Sequence, residues 1–150
     1  MAFMRNFYTP TILILFIIAV FFGYQLIERD KPQNYGPNYC DFSAGVCVQT
    51  QKIGSFELNA LPKRVKAESE INFQLASKDN AALEIQSAWL EGKDMYMGKI
   101  PLFFNAENGV YEANTLIGAC TEEQMIWQMV IVLMINNQQQ RLVFEFMSYR

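Results

Sequence analysis

From Asn6 to Ile27 the chain carries no charged side chain, and Ile12 to Phe22 (ILILFIIAVFF) is apolar without a break. A helix of about 21 residues rises about 31 Å, enough to cross the hydrocarbon core of a bilayer. A helix that is apolar all round needs either lipid or a large protein around it, and only ~110 residues remain to sheath it. Lipid is the expected environment. Tyr8 and Tyr24 lie near the two ends, where amphipathic rings favour the membrane interface. Pro10 falls in the first turn, where its missing N–H costs least.

A cleaved signal peptide is the rival reading. The residues after Phe22 run Gly-Tyr-Gln-Leu-Ile-Glu, with no small-x-small cleavage pattern and no cysteine close by for lipid attachment. The expectation is therefore an uncleaved signal-anchor. It divides the chain into a short cytoplasmic tail at 1–6, a transmembrane anchor at 7–27, a linker at 28–39 and a domain at 40–150. The linker stretch Asp30 to Tyr39 (DKPQNYGPNY) has two prolines, a glycine and no apolar period, so it reads as extended chain.

Charge alone does not orient the anchor. Arg5 stands on the short side, Arg29 and Lys31 on the long side, and the positive-inside count is close to a tie. Cysteine placement breaks the tie. Cys40 and Cys47 enclose Asp41 to Val46, and the Asp, Ser and Gly among those residues favour a turn that brings the thiols together. This pair is the first choice for a disulfide. A bridge to Cys120 and three reduced thiols remain as alternatives, and three cysteines leave an odd one over in any case. A disulfide places the C-terminal domain outside the cytoplasm, in the periplasm, on a single pass through the inner membrane.

Composition narrows the chemistry. Among 150 residues there are eight methionines, three cysteines and no histidine, with 12 basic and 15 acidic side chains. A net charge of -3 lacks the basic footprint of a nucleic-acid binder. Without histidine there is no Ser-His-Asp or Cys-His nucleophile and no imidazole metal ligand. No glycine-rich phosphate loop, CxxC or GxSxG is present. An enzyme is not expected.

Past Cys47 the hydrophobic period is two. Ile71-Phe73-Leu75 and Leu142-Phe144-Phe146 alternate with outward neighbours, and Leu83-Ile85 runs on to Trp89 in the same sense. Met125 to Ile135 (MIWQMVIVLMI) is apolar on both faces and reads as a central strand covered on both sides. Turn signals fall at Lys52-Ile53-Gly54, at Ser77 to Asn80, at Asn105 to Gly109 with its Asn-Gly pair, and at the polar connector Asn136 to Gln140. The expected fold is all-β: an immunoglobulin-like sandwich of about seven or eight strands preceded by one transmembrane helix. Trp89 and Trp127 are expected as core anchors, and Met129, Met134 and Met147 as core packing.

Two stretches stand apart from this pattern. In Trp89 to Pro101, Met95 and Met97 are two apart, so an extended strand sends both thioethers to one face. In Gly118 to Trp127, Cys120 and Met125 flank the turn Thr121 to Gln124. Met95, Met97, Cys120 and Met125 together offer three thioethers and one thiol, a soft donor set suited to Cu(I). Packing is the competing role for each of these sulfurs.

The stretch from Ala88 to Leu133 resembles the FixH/YtkA-like group of small membrane-anchored extracytoplasmic proteins. The resemblance rests on Met95-Tyr96-Met97-Gly98, Pro101, Gly109-Val110-Tyr111-Glu112-Ala113 and Met125-Ile126-Trp127 opening a long apolar strand. It covers about a third of the chain. It implies an immunoglobulin-like sandwich and a role in copper handling or respiratory oxidase assembly. The implied partner is a membrane-bound oxidase subunit or a copper-delivery protein. The lack of histidine and the three cysteines depart from the group's pattern. The competing expectation is a metal-free structural domain that docks on a membrane protein complex.

Overall fold

The computed structural model describes residues 8–28, 35–52, 54–79, 83–135 and 137–150, with α1 side chains described for 12–23. The expected tail at 1–6 and residues 29–34 of the expected linker lie outside the described residues. The chain divides into two compact units, Met1–Tyr35 and Gly36–Arg150.

The first unit carries helix α1, Tyr8–Glu28, 21 residues long. Pro10 is its third residue, and no glycine interrupts it before Gly23. Its large apolar side chains between Ile12 and Phe22 are 47–69% exposed. Among the described residues no helix is long and apolar enough to cross a membrane, the described side chains of α1 being confined to 12–23.

The second unit is a two-sheet β sandwich. Its strands are β1 (Tyr39–Cys40), β2 (Cys47–Gln51), β3 (Gly54–Leu61), β4 (Glu70–Ser77), β5 (Glu84–Gly92), β6 (Lys99–Pro101), β7 (Asn105–Glu107), β8 (Val110–Leu116), β9 (Gln124–Ile135) and β10 (Gln138–Tyr149). The first sheet runs β1-β10-β9-β5-β6 and the second β2-β3-β4-β8-β7. Among these strands of the described residues the β1–β10 pairing is parallel and the others antiparallel, and an isolated bridge between Lys66 and Tyr149 is also parallel. Ten strands exceed the expected seven or eight because β1, β6 and β7 are edge pieces of two or three residues. Short edges limit the backbone open to stray pairing.

The period-two residues build the core. Ile71, Phe73 and Leu75 of β4 face Leu142, Phe144 and Phe146 of β10, all without solvent exposure. Phe42, Phe73 and Phe146 form a tilted aromatic triangle with centroids 5.3–6.2 Å apart. Trp127 and Met129 lie fully inside, as expected. The Cys40–Cys47 disulfide forms, with Cα atoms 5.3 Å apart. It joins β1 of one sheet to β2 of the other, so it staples the two layers at their edge.

Turn chemistry follows the sequence at one hairpin and departs from it at another. Asn108 and Gly109 take φ of 51° and 82°, so the β7–β8 hairpin closes on two left-handed residues. The polar run after Ile135 is not all connector. Gln138, Gln139 and Gln140 pair with Ile135, Met134 and Leu133, and extend β10 by three residues. Their side chains can project to solvent while the backbone continues the ladder.

Three packing expectations need correction. A register shift between Ile85 and Ser87 reverses the parity of β5. Ala88 and Leu90 then face inward, and Trp89 lies half-buried on the outer face. There its ring is covered by the Lys99 ammonium at 4.4 Å, and its N–H donates to Glu91 at 3.0 Å. Met134 is also half-buried on that outer face rather than in the core, as are Ile126 and Val132. Val130, on the same outer face, is fully buried, so β9 is covered completely on its inner face and in part on its outer one.

Candidate functional site

Three loops gather at one end of the sandwich. They are the β5–β6 loop, the β8–β9 loop that crosses between sheets, and the segment between β3 and β4. A backbone bond ties the last two, Glu68 N–H donating to Ile117 at 2.8 Å, and Ala67 N–H donates to Tyr149 at the end of β10 at 2.8 Å. Met95 and Met97 sit in the first loop, Cys120 in the second, and Met125 is the second residue of β9.

The structure brings the two sulfur-bearing segments together. The Cys120 thiol donates to the Met95 thioether at a Sγ–Sδ distance of 3.6 Å, across 25 residues of sequence. Gly92 makes this approach possible. A Cβ there would collide with the Met95 carbonyl oxygen and with the Met125 terminal methyl. The missing side chain therefore lets the loop fold back over β5 and lets Met125 pack beneath it. Lys93 N–H then fixes the turn by donating to Ile126 at 2.9 Å.

Exposure separates the four sulfur residues. Met95 is 42% and Met97 37% exposed, while Met125 is 5% exposed. Cys120 is half-buried and is the free cysteine. Residues 93–98 are loop rather than strand, so the two-residue spacing of Met95 and Met97 does not by itself set a shared face.

The Cys120 thiol is held below its ordinary pKa. The Glu122 backbone N–H is the main cause, against smaller opposing effects of burial and of the Glu122 carboxylate, and the Thr121 hydroxyl and amide add to it. These three donors stabilise negative charge on sulfur, the form that binds metal. Around it, Asp94, Glu122 and Glu123 are exposed and make no ion pair among the described residues.

The donor set can be tested against a metal by geometry. Two sulfurs on one first-row ion, each at about 2.3 Å and near tetrahedral angles, stand about 3.8 Å apart. The Cys120–Met95 distance of 3.6 Å is close to that separation. Two soft donors thus already stand at about the separation that one soft ion requires. Among the described residues no group of three His, Cys, Asp or Glu side chains is placed to hold a metal.

Sequence reasoning missed the residues that support this arrangement: Gly92, Lys93 and Glu145. Lys93 Nζ lies 2.6 Å from a Glu145 carboxylate oxygen, 52 positions away. Nothing local in the sequence signals that pairing. Comparison with family models, curated proteins and solved structures finds no match for this chain.

Proposed function

We propose that this protein is a membrane-anchored extracytoplasmic module that binds or transfers Cu(I) at the loop end of its sandwich. Met95 and Cys120 supply the first two ligands, and Met97 or Met125 the third. The observation that carries the reading is the 3.6 Å thiol–thioether contact between two loops. A thioether has no proton to lose, and a thiolate neutralises the ion's charge. Such a set holds Cu(I) and gives it up by stepwise ligand exchange.

The surroundings fit transfer. Met95 and Met97 are open to solvent, so an incoming ligand can reach the ion directly. The anchor reading rests on the uncharged stretch from Asn6 to Ile27 and on the exposed apolar surface of α1. The disulfide supports an oxidising compartment, hence a periplasmic domain on an inner-membrane anchor. The resemblance over Ala88 to Leu133 directs attention to a respiratory oxidase subunit or a copper-delivery protein as the exchange partner.

The immunoglobulin-like reading is supported by strand order. Strands β4 to β10 follow the sequence B-C-C′-D-E-F-G of such a sandwich, with β3 in the place of A. Strand β1 lies parallel to β10, at the far edge of that sheet.

The test is a Cu(I) competition titration of the full-length chain in detergent micelles, under anaerobic conditions with a chromogenic chelator. One equivalent of Cu(I) is expected. Met95→Leu and Cys120→Ser should each weaken it by about tenfold or more, with the fold unchanged. Failure of the wild type to compete for copper would overturn the reading.

A second reading is favoured by two exposed aromatics, Tyr96 at 83% and Phe103 at 77%. In it the domain is a metal-free interaction module that docks on a membrane protein complex, and the methionines are adaptable contact residues. Substituting Tyr96 and Phe103 by Ser would then abolish complex formation, while Met95→Leu would not.

A further inference from the structure

We propose that Glu145 is a positioning residue, which acts through Lys93 to hold the Met95 loop against Cys120. The proposal rests on the copper reading for its effect on affinity, and on geometry alone for its effect on the loop.

Glu145 lies in the middle of β10, on the outer face of the first sheet, and its side chain is 9% exposed. Its neighbours along that face are Val143 and Met147, and its partner across the ladder is Gln128. A carboxylate so enclosed needs a compensating charge, because burial without one is costly. Lys93 provides it at 2.6 Å. The Lys93 side chain is itself 39% exposed, so its ammonium has water as an alternative. It is Glu145 that requires the pair.

The pair matters because of where Lys93 stands. It is the first residue after β5 and begins the loop that carries Met95 and Met97. Its backbone is bonded to Ile126 and its side chain to Glu145, so both of its ends are fixed. From Asp94 to Gly98 no backbone hydrogen bond to another segment is found among the described residues. The direction in which the loop leaves the sheet is therefore set at Lys93. Glu145 in turn is held on its other side: its N–H donates to Asn38 at 2.8 Å, and it pairs with Tyr39 beside the disulfide-bonded Cys40. The stapled strand β1, the carboxylate and the sulfur-bearing loop form one connected support. Groups that orient ligands from behind in this way commonly change metal affinity by about 10- to 100-fold.

Two readouts on full-length protein in detergent test the proposal. One is Cu(I) affinity by chelator competition. The other is the rate at which Cys120 reacts with an aromatic disulfide reagent, which reports the Met95–Cys120 contact without any metal. Glu145→Gln and Lys93→Met should each lower Cu(I) affinity by about tenfold. Both should also speed the Cys120 reaction several-fold; the urea midpoint should stay unchanged in Glu145→Gln and fall in Lys93→Met, which leaves the enclosed carboxylate without its counter-charge. Lys93→Arg keeps the ion pair and should restore both readouts. If Lys93→Met does not fold, Glu145→Gln carries the same comparison. Unchanged thiol reactivity in Glu145→Gln overturns the proposal, whatever copper does. A wild type that takes no copper, with thiol reactivity still faster in the variants, overturns the copper reading and leaves the positioning role standing.

Discussion

The indole N–H of Trp127 donates to the Ser148 hydroxyl at 3.0 Å, with both residues buried in the core. They lie diagonally across adjacent strands, Trp127 on β9 and Ser148 on β10 two residues beyond Phe146, the register partner of Trp127. The indole is large enough to fill the centre of the sandwich, and its single donor needs a partner there. Ser148→Ala should therefore cost about 1–3 kcal/mol in urea unfolding, the penalty of a buried donor left unpaired. Trp127→Phe combined with Ser148→Ala should cost less than the two single changes added together. Full additivity would show that the bond contributes nothing.

Gly92 is where the core and the sulfur site share space. Adding a methyl group sets a Cβ against the Met95 carbonyl and the Met125 methyl. The thioether can turn aside, but the backbone carbonyl cannot without moving the loop. Gly92→Ala should destabilise the domain by about 1–3 kcal/mol, the usual cost of overpacking. It should also separate Met95 from Cys120, seen as faster thiol modification. A variant with wild-type stability and reactivity would show that the close approach is not needed.

The Cys40–Cys47 bridge closes a short loop, its cysteines seven positions apart. Chain entropy gives such a closure about 2–3 kcal/mol. Replacing both cysteines by serine should lower stability by roughly that amount, measured by denaturant unfolding, and should loosen β1 from β10. Amide exchange at Tyr39 and Glu145 should rise together. A loss confined to the 40–47 loop would argue that β1 stays docked without the staple.

Asp41 organises that loop. Its carboxylate accepts the Ser43 hydroxyl at 2.5 Å and the Ser43 amide at 2.9 Å. The hydroxyl first, then the Ser43 and Ala44 amides, hold its pKa below the ordinary aspartate value, against the opposing effect of burial. A depressed carboxylate pKa stabilises the fold above the unfolded-state value, and the effect is lost as pH falls through the folded-state value. Exchange of the Ser43 amide should therefore be slowed at neutral pH and lose that protection as pH falls below the ordinary aspartate value and through the lowered folded-state one. Asp41→Asn should flatten this pH dependence. An unaltered profile in the variant would place the titrating group elsewhere.

The strand pattern was legible in the sequence wherever alternation ran unbroken, as at Ile71-Phe73-Leu75 and Leu142-Phe144-Phe146. It misled at Trp89 because one bulge at Gln86 moves every later side chain of β5 to the opposite face. Polarity misled at Gln138 to Gln140, since a strand that leaves the sheet's covered zone can carry any side chain that water accepts. The sulfur residues were visible as residue types, and their meeting depends on a loop crossing between sheets that no local pattern encodes. Glu145 was the least visible. In Leu142 to Met147 it reads as an ordinary outward polar position, and its burial depends on Lys93, Gly36 and β1, all remote in sequence.

The third copper ligand is where the two remaining methionines should part. Met125 is buried, and its terminal methyl fills the space beside Gly92. To bind an ion at the Cys120–Met95 pair, its sulfur would have to leave that packing. Met97 is 37% exposed and belongs to the same short loop as Met95, so it can turn inward at the cost of side-chain entropy alone. Met97→Leu should therefore leave stability within about 0.5 kcal/mol of wild type. The same change should weaken Cu(I) binding about tenfold, which is about 1.4 kcal/mol. Met125→Leu conserves volume and should cost under about 1.5 kcal/mol of stability, with copper affinity close to wild type. Chelator competition on the two variants decides between them. The opposite ranking would make Met125 the ligand and would mean that copper binding opens the core beneath Gly92, which tryptophan fluorescence from Trp127 would register on titration.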